Sequence, residues 1–203
     1  MLINGQSFSV MARTKDFDEN EVLIKAINLF WHKGYNGTSM QDLVDGLGIS
    51  RSSLYDTYGD KHTLFIEALN YYYKKTEACT AEHFAQNKPV KELLRTFFEK
   101  TIVNTSAEQK TKGCFLQNVT LEMVPHDKEV VAVVNQNMED LTKIFQALIS
   151  RGIKSGEIVS SQTPASLAMY LVNTTQGLIT LGKTVTDKKK LRAVAEVAIN
   201  ALG

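Results

Sequence analysis

Apolar residues recur along this chain at intervals of three and four almost from end to end. That is the period of a helix with one buried face, and no segment shows the strict alternation of a half-exposed strand. The first helix is expected from Asp18, whose pairing with Glu21 three residues on reads as a capping box. Val22, Leu23, Ala26, Ile27 and Phe30 form its inner face, and Lys33-Gly34 closes it. A second, short helix is expected from Thr38, with Gln41 as its box partner and Met40, Leu43, Val44 and Leu47 inward. Gly48 permits a tight positive-φ turn, and Ser50 caps a third short helix over 51–58 with Leu54 as its core residue. Gly59-Asp60 breaks the chain, and Asp60 caps a long fourth helix running through Phe65, Ala68, Leu69 and Tyr72 toward Cys79.

Pro89, suited to a first helical turn, opens a fifth helix with Val90, Leu93, Leu94, Phe97, Phe98 and Ile102 inward. A polar loop is expected over 104–112, and a sixth helix over 113–124 that stops before Pro125. The seventh, over 127–155, carries Val130, Val134, Met138, Leu141, Phe145 and Leu148 on one face. Thr163-Pro164 opens the eighth, to about residue 183, and a ninth covers 187–202. The fold class is therefore all-α, with about nine helices.

Composition changes this picture little. Hydrophobic residues make up 43% of the 203 and charged residues 22%, enough to bury a core. No run of about 18 uncharged apolar residues signals a membrane span, and the first ten residues lack the basic flank and apolar stretch of a signal peptide. Met11 opens Met-Ala-Arg-Thr-Lys like a second start, so residues 1–15 are expected to form a disordered extension. Two cysteines, Cys79 and Cys114, are too few for a disulfide framework and wrong for a zinc site; a reducing cytoplasm follows. No cofactor is expected.

Charge argues against a strongly electrostatic nucleic-acid binder. The net charge is +1. Between Ala12 and Leu64, six basic residues face eight acids, leaving −2. Any DNA binding there must rest on few, well-placed groups.

Such groups stand in Thr38 to Lys61, where two short helices join through Gly48-Ile49-Ser50, the layout of a helix-turn-helix whose second helix enters a major groove. With Leu54 inward, that helix presents Arg51, Ser52, Ser53, Tyr55 and Asp56 outward. Arg51 can pair with guanine or phosphate, and the two serines let the helix approach closely. Tyr55 and Tyr58 can donate to phosphate oxygens. Lys61, Thr38 and Ser39, each at a helix start, can meet phosphates with the help of the helix amides. The same shape without these side chains would be an ordinary helical hairpin.

The run from Phe30 through Trp31, Gly34, Tyr35, Gly37, Thr38 and Ser39, followed by Leu47-Gly48-Ile49-Ser50, Leu54-Tyr55 and Lys61, resembles the TetR-family DNA-binding domain over about residues 17–65. The resemblance implies a helix-turn-helix DNA-binding domain (16–64) and a ligand-binding and dimerisation domain (65–203). It implies a homodimer on a palindromic double-stranded operator, usually a repressor released when a small molecule binds within the fourth to eighth helices. Thr57 departs from the aromatic usual there, and Gly46 is unusual inside a helix, costing about 1 kcal/mol against alanine.

In the C-terminal half, the eighth helix is apolar around most of its girth, and the ninth has small residues that permit close approach. A two-fold interface through about residues 165–202 is the reading; burial within a monomer is the alternative. Phe97, Phe98, Phe115, Met123, Met138, Phe145 and Tyr170 are candidates to line an apolar effector pocket, although for each one taken singly plain core packing is the better reading. Cys114, in Lys112-Gly113-Cys114 at a helix start, is placed where a thiol pKa falls, and its context is similar to the NemR-like branch, in which some members sense electrophiles or oxidants. A small buried cysteine is the plainer reading; Cys79 reads as packing. The four histidines show no metal or triad spacing and no phosphate loop is present, so an enzyme is not expected. A helical ligand-binding dimer without DNA binding is the remaining rival.

Overall fold

The computed structural model describes residues 17–104 and 113–203, and among them the chain forms nine helices and no strand. They are α1 (Glu19–Lys33), α2 (Met40–Leu47), α3 (Arg51–Tyr58), α4 (Lys61–Ala85), α5 (Val90–Asn104), α6 (Phe115–Met123), α7 (Lys128–Lys154), α8 (Pro164–Gly182) and α9 (Lys188–Asn200). The expected N-terminal extension over 1–15 and most of the polar loop over 104–112 lie outside the described residues.

Local capping chemistry sets most helix starts. Asp18 accepts from the N–H groups of Asn20 and Glu21 ahead of α1, Ser50 from Ser53 ahead of α3, and Asp60 from Thr63 ahead of α4. The start of α2 corrects the sequence reading. Its cap is Ser39, and the box partner is Asp42, not Gln41. Thr38 points the other way, donating its hydroxyl to the Gly34 carbonyl at 2.6 Å. At the other end of the chain's long elements, α4 runs on past Cys79 to Ala85 and buries His83 and Phe84.

Two apolar clusters hold the fold. The first joins α1, α2 and α3 to the start of α4 and continues into α6 and the start of α7, through Phe30, Leu43, Leu47, Leu54, Phe65, Phe115, Val119, Met123 and Val130. The second gathers Phe84, α5, the end of α7, α8 and α9 around Phe98, Phe145, Leu171 and Ile199. Met138 packs against both. The helix-turn-helix therefore has no closed core of its own: α6 and α7 complete it. Complete burial of each such side chain contributes on the order of 1.5–3 kcal/mol.

Gly46 now has a physical reason. A Cβ there would meet Leu29 Cδ1 of α1 at 2.6 Å, so glycine lets α2 lie close on α1.

Candidate nucleic-acid interface

The interface is built on the turn between α2 and α3. Gly48 takes the left-handed conformation, with φ 71° and ψ 25°, and its N–H closes α2 on the Val44 carbonyl. Lys25 on α1 donates to the Leu47 carbonyl at 3.3 Å, adding a cation at the α2 C-terminus. Ile49 and Leu54 anchor the turn and α3 from below. What remains on the outer side of α3 is Arg51, Ser52, Tyr55 and Asp56, all exposed, with Ser53 half-buried. The Arg51 guanidinium lies 5.9 Å from the Tyr55 ring centroid, which pre-orders the two side chains on one face. Ser50 Oγ lies within hydrogen-bond distance of both Ser52 and Ser53 hydroxyls, at 2.9 and 2.8 Å.

Four of the expected contact residues are placed differently. Thr38 is 1% exposed and Tyr58 3% exposed, so neither is presented to a phosphate. Tyr58 occupies the inner face of α3 one turn after Leu54, and burial first, then Glu19 and Glu67, pushes its phenol pKa up to about 12. The helical period itself, Leu54 to Tyr58, was the signal for this. Lys61 is half-buried and already engaged: its ammonium donates to the carbonyls of Tyr35 and Thr38, both at 2.9 Å, and sits 4.2 Å from the Tyr35 ring centroid. It ties the α1–α2 loop to α4. Ser39 is exposed but turned onto Asp42, whose carboxyl is held well below the usual range by Lys33 and by the Ser39 N–H and hydroxyl.

The same loop is gripped from the C-terminal side. The carboxylate of Glu122, at the end of α6, accepts the N–H of Tyr35 at 3.0 Å and of Asn36 at 2.8 Å. Nearby, His62 in the first turn of α4 lies 2.7 Å from Asp127, the N-cap of α7, and 3.8 Å from Glu129. Burial raises the Asp127 carboxyl pKa, but the Val130 N–H, His62 and the Glu129 N–H together outweigh it and hold it low. Glu122 and His62 went unread in the sequence, because partners 87 and 65 residues apart leave no local pattern.

The seven pocket candidates do not come together. Phe115 and Met123 belong to the first cluster, Phe98 and Phe145 to the second, and Met138 lies between them. Tyr170 is exposed on the outer side of α8, beside α9. Only Phe97 reaches an open groove of about 510 Å³ between α1, α4 and α5. Cys114 caps α6 without a side-chain bond. Burial pushes its thiol pKa up; the N–H groups of Gln117 and Leu116 and the charge of Lys183 lower it by less. Desolvation thus outweighs the activating groups at this thiol, in keeping with the plainer reading of a small buried cysteine. Cys79, expected to pack, is instead exposed in the groove.

Residues 22–68 match the family described as bacterial regulatory proteins, tetR family, and residues 90–198 match the tetracyclin repressor-like C-terminal domain. The chain belongs to the TetR family. It is 34% identical to the HTH-type transcriptional regulator YezE of Bacillus subtilis (strain 168), over 95% of this chain and all of that one. It is 27% identical to the HTH-type transcriptional repressor ComR of Escherichia coli (strain K12), over 90% of this chain and 88% of ComR. Its fold superposes with a TM-score of 0.81 on a cysteine mutant of the regulator CifR solved with a 26-base-pair operator DNA, at 25% identity, covering 94% of this chain and 100% of that one. As a TetR-family member the protein is a DNA-binding transcriptional regulator acting as a homodimer. No described helix is long and apolar enough to cross a membrane.

Proposed function

We propose that this TetR-family regulator is a repressor that places α3 of each protomer in successive major grooves of a palindromic operator and leaves it when a small molecule binds. One observation supports it most: α3 is an eight-residue helix whose underside is buried and whose outer face offers Arg51, Ser52 and Tyr55 together. On this reading Arg51 reads a base or holds a phosphate, Tyr55 donates its hydroxyl to the backbone, and Ser52 and Ser53 allow close approach. Lys61 has two of its three protons committed inside, leaving one for a phosphate. The DNA-binding unit is taken as residues 16–64 and the remainder as the sensing and dimerisation part. The reading contains no catalytic step, and it places the protein in the cytoplasm with the DNA.

The dimer face is read from α8 and α9. Met169, Tyr170 and Leu181 on α8 and Val194 and Val197 on α9 are large apolar side chains left 39–66% exposed. A Cβ at Gly177 on α8 would meet nothing within 4 Å, so a partner helix can approach there. Release is read through the grip on the α1–α2 loop. An effector that shifts α4 or α6 pulls on Lys61, Glu122 and His62, and so alters the separation of the two recognition helices.

In vitro selection of random duplexes by the purified protein tests the proposal. Enrichment of a site with two-fold symmetry and half-sites about one helical turn apart is expected. Enrichment of nothing beyond the starting pool would overturn it.

A further inference from the structure

The groove between α1, α4 and α5 has a lining that does not match a purely apolar effector. Its apolar wall is aromatic: Trp31 of α1, Tyr71 and Tyr72 of α4, Phe97 of α5. Its polar groups are Asn, Thr, Cys, His and two lysines, Lys75 and Lys100; among the described residues no carboxylate lines it. Neither ammonium has an acidic partner among the described residues. Lys75 lies 5.5 Å from the Tyr71 ring centroid. Lys100 lies 3.4 Å from His83 Nδ1.

That second contact orients the charge. His83 Nε2 sits 3.0 Å from the Leu93 carbonyl, which can only accept, so Nε2 carries the proton. Nδ1 is then a lone-pair acceptor facing Lys100. The imidazole, fixed at its far side, holds the ammonium at the groove and brings no negative charge to cancel it. Burial pushes the Tyr72 phenol pKa up, so it stays an uncharged donor. Among the described residues the groove therefore combines a π-rich wall with positive charge that no carboxylate compensates.

We propose that this groove binds a small aromatic organic anion, its ring against Trp31, Tyr72 and Phe97 and its carboxylate or sulfonate toward Lys75 and Lys100. This rests on the reading of the protein as an effector-released regulator and specifies the class of effector. Because Ile24, Ile27, Asn28 and Trp31 come from α1, the ligand touches the DNA-binding unit directly as well as α4 and α5. It can bias the recognition helices without passing its effect through the second cluster.

The test uses two dyes that differ by one group: 1-anilinonaphthalene-8-sulfonate and its neutral parent, N-phenyl-1-naphthylamine. Trp31 is the chain's single tryptophan, so quenching of its emission and energy transfer to the dye report this groove. The sulfonate is expected to quench Trp31 and to bind more tightly than the neutral dye. Lys75→Gln and Lys100→Gln, both at exposed positions, are each expected to weaken the sulfonate about fivefold while leaving the neutral dye unchanged. Equal affinities for the two dyes, unmoved by either lysine variant, would overturn the anion assignment while leaving an apolar effector possible. Failure of both dyes to quench Trp31 would overturn the groove as a site. Neither result depends on whether the protein binds DNA.

Discussion

At the residue scale, position on α3 separates recognition from packing. Tyr55 is 43% exposed and Tyr58 3% exposed, although they stand three residues apart and carry the same group. Tyr55→Ala is expected to lower operator affinity about tenfold or more while leaving the melting temperature within about 2 °C, as for a surface change. Tyr58→Phe is expected to leave affinity unchanged and to keep or slightly raise stability, since the buried hydroxyl has no partner among the described residues. Anisotropy titrations and thermal melts of the two variants check both; loss of DNA binding in a stable Tyr58→Phe protein would reverse the assignment. For Cys114, the raised thiol pKa predicts alkylation by iodoacetamide at neutral pH slower than a model thiol. Faster labelling would restore the sensing role.

At the scale of elements, the contact through which the proposed release would act is the grip on the α1–α2 loop. Glu122→Ala leaves the Tyr35 and Asn36 amides without their acceptor, with an expected loss of about 1–3 kcal/mol and faster hydrogen exchange at those two amides. Unchanged exchange there would show that the grip is not kept in solution. The ion pairs of this region also set an acid limit. Asp42 and Asp127 both have folded pKa values below the ordinary carboxylate value. Their stabilisation is present above about pH 4 and is lost as pH falls through the lowered folded values, because the unfolded chain binds the proton first. Melts between pH 6 and 3 should show a fall in stability that Asp127→Asn makes less steep; parallel curves would contradict this.

The helices themselves were legible in the sequence because most are specified locally, by a 3.6-residue apolar stripe and a cap within four residues. The one misplaced cap shows the limit of such signals. Thr38 and Ser39 are both good caps, and what decides between them is the Gly34 carbonyl that captures Thr38. The outward face of α3 was also legible, since Leu54 sets its phase. The groove was not. Its walls come from three helices, and Lys75, His83 and Lys100 acquire meaning only when α4 and α5 lie side by side. The aromatic residues chosen as pocket candidates carry the same apolar spacing whether they face a cavity or a core, and most face a core.

At the scale of the whole molecule, two features must be reconciled: a helix-turn-helix that is acidic overall, and binding to a polyanion. Much of the local charge is spent internally. Lys33 pairs with Asp42, Lys25 reaches the end of α2, and Lys61 reaches the α1–α2 loop. Affinity must then come from two copies of a small contact set, which makes the dimer essential. Placing glutamate at both Val194 and Val197 is expected to yield a folded monomer by sedimentation, with operator binding lost. A dimer that survives both changes would place the interface elsewhere.

The most direct measurement is the salt dependence of binding to the selected operator, for the wild-type protein and for Arg51→Ala. With so few free cations on α3, log affinity should fall against log salt with a shallow slope, and removing Arg51 from both protomers should take roughly 2 off it if the guanidinium meets phosphate. If Arg51 reads a base instead, the slope should hold while affinity falls by about 1–3 kcal/mol and discrimination at one base pair in each half-site relaxes. Wild-type and variant curves that coincide, on operator and scrambled duplex alike, would mean that α3 does not touch DNA.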